Sequence, residues 1–93
     1  MEIYVDRNGV QVKAIKFFSG ESEGYVYQVN HGDTHHDLKF QTGRVSDSGV
    51  NGLTNEALLA IVIHRTNSLN DKFPCKENAC AITKMQEALM WFE

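Results

Sequence analysis

Residues 75–93 read CKENACAITKMQEALMWFE and carry the clearest structural signal in the chain. Apolar residues recur in this segment at helical spacing and form one stripe about 100° wide, made of Ala81, Ile82, Met85, Ala88, Leu89 and Phe92. The pattern predicts an amphipathic helix whose stripe packs against a core or a partner. Because no glycine follows Phe92 to cap the helix, we expect the natural protein to continue beyond Glu93.

A second helix is predicted upstream of the first. Thr54 is the expected N-cap, and Glu56 in the first turn suits the helix dipole. We expect this helix to end near Asn67 and to be buried on two sides, since apolar positions cover more than half of its circumference: Ala57, Leu58, Leu59, Ile61, Val62 and Ile63. Residues 67–74 are predicted as a short loop, so the two helices form an antiparallel hairpin.

The N-terminal half has the period of β-strands. Residues 2–6 and 10–18 flank Asn8-Gly9 and predict a β-hairpin, residues 25–30 predict a third strand, and residues 38–45 continue the sheet. The chain is therefore predicted to be α+β, with an N-terminal antiparallel β-sheet of four to five strands followed by a C-terminal antiparallel helical hairpin. We expect one domain over residues 1–93, with the meander at 1–45 and a C-terminally truncated hairpin at 53–93.

Composition excludes several classes of protein. Hydrophobic residues at 42% and charged residues at 23% are ordinary globular values, and no apolar run reaches membrane-spanning length. The N-terminus, MEIYVDRNG, does not resemble a secretory or transit signal, so we expect a cytoplasmic protein. Cys75 and Cys80 lie on or beside one helix with diverging side chains, so no disulfide is expected. A formal net charge of −3 gives no reason to expect binding to duplex nucleic acid.

Metal and thiol chemistry are the enzymatic alternatives. A run of metal-competent side chains comprises His31, Asp33, His35, His36 and Asp37, and the more distant His64 could complete a zinc site. These residues fall in a predicted turn, where they are common for backbone reasons, so we prefer a solvated turn and keep a small metal-dependent hydrolase as the alternative. A nucleophilic cysteine, Cys75 or Cys80, with His64 as its base has no support from the neighbouring residues. Cys80 is expected to be a small core residue. We predict that the protein is not an enzyme.

Polar and cationic residues gather where the two predicted helices meet: Arg65, Lys72, Lys76 and Asn78. A helix that opens after Pro74 offers free backbone amides, and this combination suits a phosphate-bearing ligand. The simpler interpretation is a set of exposed residues flanking a turn. Leu69 and Phe73 in the predicted loop either pack on the sheet or provide a surface on which a base can stack.

Two segments resemble the Thoeris anti-defence protein 1 family of bacteriophages: residues 50–65, VNGLTNEALLAIVIHR, and residues 73–93, FPCKENACAITKMQEALMWFE. The resemblance is most specific at Asn51-Gly52, Thr54-Asn55-Glu56, Lys76-Glu77-Asn78-Ala79 and Glu87-Ala88-Leu89-Met90-Trp91. It implies a homo-oligomer that works in the infected bacterial host without turnover or cofactor. Such a protein sequesters gcADPR, the cyclic ADP-ribose isomer made by TIR-domain Thoeris enzymes, and cyclic oligonucleotides are further candidate ligands.

The resemblance also implies a ligand site. Asn78 matches the family's pocket asparagine, Phe73 is the expected stacking ring, and Leu69 stands where the family has an aromatic residue. Arg65 and Lys76 are expected to face the phosphates, in a pocket at a dimer interface; a trimer of dimers is the larger assembly considered. In the family, arginines beyond the tryptophan help to hold the pyrophosphate, and their absence here is expected to reflect truncation.

A third interpretation is an interaction module. In it, the apolar stripe that ends at Phe92 binds a host protein, and Asn78 has no role.

Overall fold

A computed structural model describes residues 1–15 and 24–93 and shows the predicted α+β class. The strands are β1 (Glu2–Val5), β2 (Gln11–Ile15), β3 (Val26–His31) and β4 (Thr34–Lys39), and they form one antiparallel sheet in the order β1-β2-β3-β4. The helices are α1 (Val45–Ser48), α2 (Asn55–Lys72) and α3 (Lys76–Phe92). Contacts divide the chain into two units, Met1–Leu53 and Thr54–Glu93. That residues 1–93 form one domain stays a prediction.

The hairpin of β1 and β2 confirms the predicted turn at Asn8-Gly9, with one refinement. Gly9 has the positive φ of +83°, whereas Asn8 does not. The Asp6 amide donates to the Val10 carbonyl at 3.0 Å and closes a three-residue loop whose last residue is Gly9. The Asp6 carboxylate supports this loop by accepting hydrogen bonds from the amides of Asn8 at 2.8 Å and Val10 at 3.0 Å. The predicted strand residues 16–18 and most of the polar loop at 19–24 lie outside the described residues.

The hairpin of β3 and β4 corrects the predicted extent of the second turn. The turn is only Gly32-Asp33, and β4 begins at Thr34 instead of Leu38. His35 and His36 therefore lie in a strand, opposite Asn30 and Val29. Apolar alternation could not reveal this strand because β4 lies at the edge of the sheet, where nearly all of its side chains are exposed.

The predicted continuation of the sheet to residue 45 is wrong. Within residues 1–15 and 24–93, the one further bridge joins Phe40 to Leu53 in parallel, and Val45 begins the short helix α1. Side-chain hydrogen bonds hold this loop. The Gln41 side-chain Nε2 donates to the Gly49 carbonyl at 2.9 Å, and the Gln41 Oε1 accepts from the Asn51 backbone amide at 3.0 Å. The Asn51 side chain in turn bonds both backbone groups of Thr42, at 2.9 and 2.8 Å. These bonds replace a strand ladder.

Helix α2 begins as predicted but ends later. Its N-cap Thr54 accepts a hydrogen bond from the Ala57 amide at 3.1 Å, which confirms the predicted start. The predicted end near Asn67 is wrong, since the helix continues to Lys72 and Leu69 is helical. The helix continues until Pro74 ends it. A proline disfavours the helical conformation in the residue before it, and that residue is the C-cap Phe73.

Helix α3 confirms the predicted amphipathic segment. Cys75 is its N-cap, and the Cys75 sulfur accepts from the Asn78 amide at 3.4 Å. Ile82 is buried and three other members of the stripe are half-buried, whereas the two remaining members are exposed: Met85, Ala88 and Leu89 in the first group, and Ala81 and Phe92 in the second. By contrast, α2 has no buried residue, so the expectation that it is buried on two sides is wrong. Among the described residues, no helix is long and apolar enough to cross a membrane.

Candidate functional site

The turn between α2 and α3 is held by a side chain. The carboxamide oxygen of Asn70, in the last turn of α2, accepts a hydrogen bond from the Cys75 amide at 3.0 Å. The amide of Phe73 donates to the Leu69 carbonyl at 2.8 Å and closes the helix end. Asn70 was not among the predicted site residues, although an asparagine shortly before a proline is a recognisable turn signal.

Asn78 lies in the first turn of α3, beside this connection. It is half-buried and stands one helical turn before the buried Ile82, on the side of α3 that packs against α2. Its backbone amide bonds to Cys75, but its side-chain carboxamide has no hydrogen-bond partner in residues 1–15 and 24–93. One acceptor and two donors therefore remain available to a ligand at the edge of the helix pair.

Three of the predicted site residues follow one another along α2 and its C-cap. Arg65, Leu69 and Phe73 are spaced by four residues, so they form a line that reaches the turn. The Phe73 ring is 73% exposed and Leu69 is 38% exposed. The structure thus brings an aromatic ring and an aliphatic side chain to the end of the hairpin that carries Asn78, with a cation two turns further away.

Lys76 lies elsewhere on α3. Two residues correspond to about 200° around a helix, so Lys76 and Asn78 point to nearly opposite sides. Lys76 instead borders a groove of about 270 Å³ on the outer side of α3, together with Ala79, Cys80, Thr83 and Lys84. Within one chain, Lys76 and Asn78 do not share a side of the helix.

The helical hairpin also presents an apolar side. A groove of about 260 Å³ is lined by Asn55, Leu58, Leu59, Val62 and Phe92. Val62 is 42% exposed and Phe92 is 51% exposed. Trp91 is 90% exposed and, by helical periodicity, lies opposite the Ile82 side of α3. Both helices therefore leave large apolar side chains uncovered in this chain.

The predicted metal cluster does not form. His31 and His36 lie on one face of the sheet, while His35 lies on the other face and pairs with Asn30. Within residues 1–15 and 24–93, no three His, Cys, Asp or Glu side chains are placed to hold one ion. Cys75 and Cys80 are free and exposed, so the expectation of Cys80 in the core is wrong.

The fold and this site define an α+β protein in which a helical hairpin follows an antiparallel sheet, with the Asn78 carboxamide and the Phe73 ring beside the hairpin turn. Residues 33–93, which include β4, α2 and α3, match the model of the family described as "Acb2/Tad1, hairpin domain". The chain belongs to this family, which confirms the resemblance found in the sequence.

One relative indicates the biological setting of similar proteins. The chain is 53% identical over 55 residues to a protein named Thoeris anti-defense 1 from Bacillus phage SBSphiJ7. The matched region covers 58% of this chain and 39% of that protein, so the chain spans about two fifths of the length of the curated relative.

Proposed function

We propose that this protein is a bacteriophage anti-defence protein that binds and sequesters gcADPR, the cyclic ADP-ribose isomer made by TIR-domain Thoeris enzymes. It acts in the cytoplasm of the infected host, needs no cofactor and leaves the ligand intact; cyclic oligonucleotides are a second candidate ligand class. The observation that carries the proposal is the 53% identity to the phage protein named Thoeris anti-defense 1. Sequestration needs only slow dissociation and an excess of protein over signal.

The end of the helical hairpin offers groups suited to such a ligand. The Asn78 carboxamide can pair with the polar edge of a base or with a ribose hydroxyl. Phe73, which is largely exposed, can stack on a base, with Leu69 beside it. Arg65 on the same line of α2 can approach the pyrophosphate, and a guanidinium suits phosphate because it donates in pairs.

The position of Lys76 favours a pocket shared between two copies of the chain. Lys76 and Asn78 point to nearly opposite sides of α3, and a second copy of the chain can bring a Lys76 side chain to a ligand that Asn78 holds. The exposed Val62 and Phe92 supply apolar surface that association would bury. We therefore include a homo-oligomer in the proposal, a dimer or a trimer of dimers, with pockets at the dimer interface.

Calorimetry with gcADPR tests the function directly. We expect saturable binding in the purified protein, because an open amide and an exposed ring stand beside a helix N-terminus. Heat denaturation of the complex is expected to release the ligand unchanged. Ordinary cyclic ADP-ribose is the matched control, because it shows whether binding depends on the linkage of the isomer. Absence of heat with gcADPR, or release of a hydrolysed product, contradicts sequestration.

Sedimentation at micromolar concentration tests the shared pocket. We expect a species heavier than the 10.5 kDa chain, and Phe92→Glu is expected to shift it toward the monomer, because a buried charge opposes association. Asn67→Ala is the control, because Asn67 is exposed on α2 and lines neither the groove at Phe92 nor the groove at Lys76. If the wild-type protein sediments as a monomer, the pocket shared between two copies is contradicted.

A host-protein interaction module is the second candidate, favoured by the exposed Trp91 and Phe92. The interaction module does not require the Asn78 carboxamide, so a single variant at Asn78 distinguishes the two candidate functions. If Asn78→Ala abolishes anti-defence activity in infected cells while the protein stays folded, the interaction module is disfavoured. The metal-dependent hydrolase finds no support, since the predicted ligands stand on two faces of the sheet.

A further inference from the structure

Two histidines meet across the hairpin of β3 and β4. His31 ends β3 opposite Thr34, and His36 lies two residues further along β4, opposite Val29. Residues in this diagonal relation stand on the same face of an antiparallel sheet and lie within reach of long or aromatic side chains. The two rings are stacked, with their centroids 5.3 Å apart and their planes inclined by 27°.

The two Nε2 atoms are 3.2 Å apart and share a hydrogen bond, and a bound ion would take the place of its proton. A zinc–imidazole bond is about 2.0–2.1 Å long, so two such bonds place their nitrogens about 2.9 Å apart at a right angle and about 3.3 Å apart at the tetrahedral angle. The observed separation falls between these values. We propose that His31 and His36 chelate one divalent transition-metal ion, of the zinc, nickel and copper class, through their Nε2 atoms.

The surroundings of the pair fit a chelate with two protein ligands. Both rings are exposed, so water can occupy the remaining coordination positions and can accept the hydrogen bond from each Nδ1. His35 cannot join them from the opposite face, where its Nδ1 already pairs with the Asn30 oxygen. Asp37 also lies on that face and accepts from Gln28 at 3.5 Å.

Imidazole ligands determine which ions this site would select. Neutral imidazole suits zinc, nickel and copper, whereas magnesium and calcium prefer oxygen ligands. The bound ion would join β3 to β4 across the Gly32-Asp33 turn and would hold the edge strand against the sheet. Neither histidine is among the residues proposed to bind the nucleotide, so failure of the metal site and failure of nucleotide binding are separate results.

Nickel and zinc titrations of the purified full chain, followed by calorimetry and by amide hydrogen exchange in β3 and β4, test the site. We expect binding of one ion per chain and slower exchange of the hairpin amides. His31→Gln and His36→Gln are each expected to weaken binding about tenfold or more, because each removes one of two protein ligands. Magnesium is expected to give no response.

Two histidines provide matched controls. His35→Gln changes the opposite face of the same strand, and His64→Gln changes an exposed position on α2, so both variants should bind like the wild type. Circular dichroism establishes that each variant is folded. The site is overturned if the wild type binds no ion at millimolar concentration, or if folded His31→Gln and His36→Gln bind unchanged. Loss of binding in His64→Gln would equally overturn it, because the ion would then lie elsewhere.

Discussion

Gly52→Ala is expected to lower the free energy of unfolding of the first unit by roughly 2–4 kcal/mol, through backbone strain and lost hydrogen bonds. A Cβ atom at this position would lie 2.6 Å from the Phe40 carbonyl carbon, 2.7 Å from its oxygen and 2.8 Å from the Gln41 nitrogen. These are backbone atoms, which cannot rotate away as a side chain can. The chain must separate at the contact between Phe40 and Leu53.

Amide hydrogen exchange measures this separation locally. The Gln41 amide donates to the Leu53 carbonyl and the Leu53 amide donates to the Lys39 carbonyl, each at 2.8 Å, so both should lose protection in Gly52→Ala. The Leu58 amide in α2 should exchange as in the wild type and serves as an internal reference.

Gly32→Ala is the matched control for this experiment. Gly32 has φ of +56° and open space around its Cβ position, so alanine there costs only the left-handed conformation, about 1–2 kcal/mol. The Gln41 and Leu53 amides should stay protected in this variant. If both variants leave those amides equally protected, the close approach at Gly52 does not determine the stability of this loop.

Asn78→Ala is expected to weaken gcADPR binding by about 1–3 kcal/mol, because ligand atoms that the carboxamide pairs would be left unsatisfied. The helix should remain intact, since alanine is the best helix former and the backbone amide at this position can still donate to the Cys75 sulfur. Calorimetry gives the change in binding, and circular dichroism gives the helix content.

Asn67→Ala provides the matched control. It makes the same chemical change at an exposed position of α2, and helical periodicity places it on the side of the hairpin away from Val62. We expect gcADPR binding to be unchanged in this variant. If Asn78→Ala binds gcADPR as tightly as Asn67→Ala does, Asn78 is not a ligand contact, and Phe73 becomes the first residue to test.

The helix pair illustrates what local sequence signals predict well. The stripe around Ile82 predicted α3, and the threonine at position 54 predicted the start of α2, because helical period and N-capping depend on residues only a few positions apart. The separation of Lys76 from Asn78 was also accessible from the sequence. The two residues are near neighbours along the chain, but a helix turns their side chains apart.

The sequence by itself determined the α+β order, the first hairpin turn, the α3 stripe and the residues that carry the family resemblance, all of which depend on short-range patterns. Only the tertiary structure decided that β4 is an edge strand, that Gln41 and Asn51 fold the following segment into a loop, and that His31 meets His36. These features depend on strand register and on bonds between residues distant in sequence. No local period encodes such pairings, because each partner gains its role only when the chain brings the other one beside it.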